Sequence, residues 1–79
     1  MVKQYVEEGA RNLASSKGWT LEFIKKAGNH KDDEILALVI CKRESDYCTH
    51  LYNHEIGFVY GHYDFKTFEE AMTDLQSRG

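Results

Sequence analysis

Glu34-Ile35-Leu36-Ala37-Leu38-Val39-Ile40-Cys41 is the stretch that decides the fold. After Glu34 it is apolar at odd and even positions alike, and it is rich in branched side chains. Such a short run, bounded by polar turns, reads as a central strand covered on both faces. Upstream, Gly28-Asn29-His30-Lys31-Asp32-Asp33 is a polar turn, and before it Trp19, Leu21 and Phe23 alternate with Thr20 and Glu22 as a half-buried strand does. Downstream, a turn around Glu44-Ser45 leads to a third strand, Tyr47 to Tyr52. The loop Asn53-His54-Glu55-Ile56-Gly57 then returns the chain into a fourth, Phe58 to Tyr63, with Gly57 where a left-handed residue is expected.

Helical periodicity flanks the strands. Val2, Tyr5, Val6, Gly9 and Leu13 form a stripe with Ala10 and Ala14 beside it, and Ser15-Ser16-Lys17-Gly18 closes it with a glycine stop, placing a helix over 2–16. At the other end Thr67-Phe68-Glu69-Glu70 is a capping box, followed by the stripe Phe68, Ala71, Met72 and Leu75. The expected fold is therefore one α+β domain spanning 1–79, ordered α-β-β-β-β-α. It is a four-stranded antiparallel meander with two helices packed on one face.

Strand alternation then divides the sheet. Leu36, Leu38, Ile40, Tyr47, Leu51 and Val59, with Trp19, Leu21 and Phe23, go to the helices, and Gly61 joins them where a helix comes close. The other face collects Ile35, Ala37, Val39, Cys41, Cys48, His50, Tyr52, Phe58, Tyr60 and His62. A solvent-facing sheet side rarely has that composition, so it is expected to be a contact surface. Tyr52, Phe58, Tyr60, His62 and His50 are its candidate binding residues. The acidic Glu69, Glu70 and Asp74 of the last helix join them.

Composition narrows the chemistry. The 79 residues are 42% hydrophobic and 13% aromatic with a net charge of −3, and they contain no apolar run of membrane-spanning length. There is no basic excess of the kind that holds duplex nucleic acid. Two cysteines and no leader segment point to a reduced, cytoplasmic setting. No nucleophile elbow or glycine-rich phosphate loop is present, so neither an enzyme nor a cofactor is expected. The alternative is a small metal- or single-stranded nucleic-acid-binding domain, in which the hairpin registers bring Cys41, Cys48, His50 and His62 together as soft ligands beside stacking aromatics. A cross-strand disulfide between the same cysteines is a further possibility in an oxidising compartment.

The element order resembles the double-stranded RNA-binding domain, whose last helix begins with a basic cluster. Here Lys66 is followed by Thr67, Phe68, Glu69 and Glu70, so the corresponding position is acidic and phosphate binding is not implied. The C-terminal third, with Tyr60-Gly61-His62-Tyr63-Asp64-Phe65 running into Glu69-Glu70-Ala71 and Asp74-Leu75, resembles small proteins of Gram-positive bacteria, their phages and mobile elements. That group includes anti-CRISPR-type inhibitors of host defence. The resemblance implies no activity. It implies a small protein that works by binding another protein; the composition of the open sheet face separately allows a homodimer formed through that face.

Overall fold

The computed structural model describes residues 2–27 and 35–78. Helix α1 (Gln4–Ser16) is followed by strands β1 (Thr20–Lys26), β2 (Leu36–Lys42), β3 (Tyr47–Asn53) and β4 (Gly57–Phe65), then by helix α2 (Phe68–Arg78). The strands form one antiparallel meander in the order β1-β2-β3-β4. The expected element order and sheet topology are those of the molecule. The expected turn at 28–33, and Glu34 of the central stretch, lie outside the described residues.

The turns follow their residues. Gly18, at φ 77°, ends α1: its amide donates to the Ser15 carbonyl while the Trp19 amide reaches back to Ala14 at 2.9 Å. This crossed pair satisfies carbonyls the helix end would leave bare. Gly57 has φ 118° at the foot of the β3–β4 loop, where the Glu55 amide donates to Asn53 Oδ1. At α2 the Glu70 amide donates to Thr67 Oγ1, and the Glu70 carboxylate accepts from the Lys66 amide.

The placement of the helices corrects the expectation. They lie on opposite faces of the sheet, not on one. Val6, Ala10 and Ala14 of α1 are fully buried against Ala37, Val39, Cys41, Cys48 and Tyr52. Ala71 and Leu75 of α2 are buried against Leu38 and Ile40, with Tyr47, Leu51, Phe68 and Met72 around them. The physical reason lies in β2. Val39, Ile40 and Cys41 are all fully buried, and a strand apolar on both sides leaves one side in water unless each face has its own cover. The face expected to be open is therefore the floor beneath α1.

Small residues let α1 sit close. A Cβ at Gly9 would overlap the Tyr52 hydroxyl and come within 2.7 Å of His54 Nδ1. The Tyr52 hydroxyl and His54 Nδ1 are hydrogen-bonded at 3.0 Å, and Tyr5 meets the His54 ring edge-on. Alanine inside a helix normally gains about 1 kcal/mol over glycine. At Gly9 the sign reverses, because Tyr52 is only 4% exposed and has nowhere to go. Gly9→Ala is expected to lower stability by about 1–2 kcal/mol of overpacking, measured by urea unfolding; a gain in stability would show that α1 stands further from the sheet.

Candidate functional site

Strand β4 departs from regular pairing twice. Leu51 pairs with Val59, Thr49 with His62, and Tyr47 with Phe65, so β4 carries an extra residue in each interval. These are β-bulges, and each re-aims the side chains beyond it. Each also contains a left-handed residue that is not glycine: Tyr60 at φ 53° and Asp64 at φ 71°. For a bulky aromatic such a conformation costs energy and persists only where its surroundings hold it.

Charged side chains hold both. Arg78, near the end of α2, donates from Nη2 to the Tyr60 carbonyl at 2.6 Å and to Thr49 Oγ1 at 3.0 Å. Its Nε donates to Asp74 Oδ2 at 3.3 Å. Asp74 also accepts from the Thr49 hydroxyl at 2.6 Å and from His62 Nδ1 at 3.0 Å. Burial alone pushes the Asp74 carboxyl up, but the donors Thr49, His62 and Arg78 outweigh it and hold it below its ordinary range. At the second bulge the Asp64 amide donates to Asp46 Oδ2 at 2.7 Å. Asp46 is itself clasped by Arg43 through two 2.6 Å bonds, and the Arg43 guanidinium holds its carboxyl low. Arg43 lies over the rings of Tyr63 and Trp19, at 4.7 and 5.9 Å.

The bulges decide where the expected binding residues fall. Tyr60 stands 75% exposed on the β4 edge. His62 is turned to the α2 side, onto Asp74, rather than joining His50. Gly61 is not under a helix: a Cβ there would overlap His50 Nε2 and lie 2.7 Å from the Tyr63 hydroxyl. Tyr52 and His50 are buried beneath α1, and Phe58 is half-buried against the same core. Glu69 and Glu70 are exposed at the start of α2. Asp74 is an anchor of the fold, with its side chain 19% exposed.

Cys41 and Cys48 pair directly across β2 and β3, as the hairpin register implied, but both thiols are free and wholly buried under α1. Cys41 and then His50 draw the Cys48 thiol down, while the neighbouring Cys48 drives Cys41 up; two charges cannot share that interior. His50 packs in a three-ring cluster with Trp19 and Phe58, and its Nε2 is hydrogen-bonded to the Tyr63 hydroxyl at 2.8 Å. Its Nδ1 is the one buried side-chain polar atom lacking a hydrogen-bond partner among the described residues. No group of three metal-ligating side chains converges among them, and the bulge that sends His62 to the other face separates it from the cysteines. The His62–Asp74 pair has an acid–base look. However, the Thr49 hydroxyl donates to the same carboxylate instead of meeting the imidazole, so that hydroxyl is not relayed to His62.

Nothing in the sequence pattern singles out Thr49 or Arg78. Thr49 is fully buried inside a strand, where a threonine is ordinary, and its partner lies 25 positions away. Among the described residues no helix is long and apolar enough to cross a membrane. Comparison with protein-family models, curated proteins and solved structures finds no match to this chain.

Proposed function

We propose that this is a small non-enzymatic binding protein, of the kind encoded by phages and mobile elements, that acts by covering a surface of a host protein such as a component of a defence system. The bulged edge of β4 is its contact surface and Tyr60 its anchor. The observation that carries this reading is Tyr60 itself: a 75% exposed aromatic in a left-handed conformation, its carbonyl gripped by Arg78. Strain maintained on a surface, where glycine would relieve it, points to a use for the side chain. Tyrosine suits an anchor because it buries a large area at low cost in rotamer entropy.

The surroundings fit a protein partner. Tyr63 is 43% exposed, and the Asp64 side chain is 91% exposed. Glu69 and Glu70 add acid at the start of α2. Those two glutamates lie at the opposite end of α2 from Arg78 and Tyr60, so acid stands to one side of the aromatic edge and favours a partner with a cationic group on that side. The bulges also deny the partner ordinary strand addition at this edge, so side chains carry the contact.

The test compares wild type with Tyr60→Ala, each immobilised and exposed to host extract. Wild type is expected to retain a discrete host protein that the variant loses by roughly 30-fold in affinity, the size of a hot-spot residue. Circular dichroism checks that both are equally folded. Equal retention by both, or retention by neither, overturns the reading.

A further inference from the structure

The two edges of the sheet are built differently. β4 is interrupted twice and closed to pairing, whereas β1 has one irregularity, between Leu21 and Phe23, and then runs regularly to Lys26 against β2. Its outer side pairs with no strand among the described residues. An unblocked edge is a template for another strand. Beside it an open groove of about 1200 Å³ separates α1 from β1, lined in part by Glu7, Glu8 and Arg11 of the helix and Ile24, Lys25 and Lys26 of the strand.

We infer that this edge pairs antiparallel with β1 of a second copy of the chain, making a two-fold dimer with one continuous eight-stranded sheet. Charge complementarity selects both the occupant and the register. With Ile24 at the two-fold axis, Glu22, the extra residue of the β1 irregularity, is set against Lys26 of the second copy, and Lys26 against its Glu22. Phe23 and Lys25 face each other in the same exchanged way. Glu22 and Lys26 are both exposed in the single chain. Opposite charges directly across an antiparallel pair attract, and like charges repel. A pairing about Phe23 instead would set Glu22 against Ile24 and lose both ion pairs.

The helix above carries a second self-complementary pattern. Glu7 and Arg11 pair along α1 at 3.0 Å, with side chains 45% and 55% exposed. A two-fold axis beside the helix brings α1 of the second copy alongside in the opposite direction, where Glu7 of each can meet Arg11 of the other. Such an isologous arrangement closes on itself and needs no third copy. It leaves Tyr60 free, because β4 lies at the far side of the sheet. The dimer is thus independent of the partner proposed for that edge.

Sedimentation across a concentration series, with three variants, tests this. Wild type is expected to approach twice the 9.2 kDa chain mass as concentration rises. Glu22→Lys and Lys26→Glu are each expected to weaken dimerisation at least tenfold, since each opposes like charges twice. The double variant carrying both changes is expected to recover it. Hydrogen exchange adds a readout at the site: outward-facing β1 amides exchange slowly in wild type and the double variant, and fast in the single variants. A monomer at every concentration overturns the inference. So does a dimer indifferent to the single reversals, or one the double reversal fails to restore.

Discussion

Replacing Gly61 with alanine is expected to destabilise the protein by about 3 kcal/mol, the upper range for overpacking, with the loss of a buried hydrogen bond added. The added methyl would land on His50 Nε2, 2.8 Å from His50 Cδ2 and 2.7 Å from the Tyr63 hydroxyl. Tyr63 is partly exposed and can swing away, but doing so breaks its bond to His50. His50 has little room to retreat, because it is 2% exposed and packs against both Trp19, at 5.6 Å, and Phe58, at 5.1 Å, which also stack on each other. Its Nδ1 already lacks a partner, so losing Tyr63 would strand both ring nitrogens. In a domain of this size 3 kcal/mol lowers the melting temperature by roughly 12–24 °C. A melt within a degree or two of wild type would mean that Gly61 does not face His50 and that the first β4 bulge is misplaced.

The second large effect belongs to Asp74. Asp74→Ala removes the acceptor shared by Thr49, His62 and Arg78, leaving a buried hydroxyl and a guanidinium only 12% exposed without their carboxylate. Breaking a buried pair costs about 3–5 kcal/mol. The partial exposure of Asp74 and its other bonds reduce the expected loss to about 2–3 kcal/mol. The pH dependence has a definite sign. Asp74 and Asp46 both sit below their ordinary value of 3.8 in the folded state. Each therefore contributes stability that is complete above that value and is lost as pH falls through the folded pKa. Wild type should hold its stability toward neutrality and lose it below about pH 4. Asp74→Asn should be less stable at neutral pH and lose less on acidification, as measured by urea midpoints at each pH. Parallel acid limbs for the two proteins would contradict the network.

The elements of the fold were legible because their signals are local. Gly18, the Thr67–Glu70 cap and the loop from Asn53 to Gly57 each specify a boundary through neighbouring residues. The faces were harder. β2 advertised a need for cover on both sides, but a meander with terminal helices leaves open which helix goes where until both faces are counted. The small Val6-Ala10-Ala14 stripe matches the small-residue floor of Ala37, Val39 and Cys41, and the larger α2 stripe matches Leu38, Ile40 and Leu51.

Bulges erased the rest. Alternation is a parity argument, and one extra residue reverses it. The irregularity between Leu21 and Phe23 sends Leu21 to the α1 side, where Trp19 also packs, and leaves Phe23 on the other. The two in β4 carry Tyr60 to an exposed edge and His62 to Asp74. Neither is marked by a glycine at its left-handed position, which is the usual sequence sign. Alternation places Tyr60 among the candidate contact residues, yet the reason it stands out is the strain at its backbone, which no alternation pattern contains.

The thermal stability of Tyr60→Gly measures that strain directly. Glycine relieves the left-handed penalty, removes an exposed side chain that contributes little packing, and leaves the Arg78 bond to the backbone carbonyl in place. Tyr60→Gly is expected to be more stable than wild type by about 0.5–1 kcal/mol, or a few degrees, while losing the host protein that wild type retains. A variant less stable than wild type, or one that keeps its partner, would contradict the claim that this residue is held at a cost for the contact it makes.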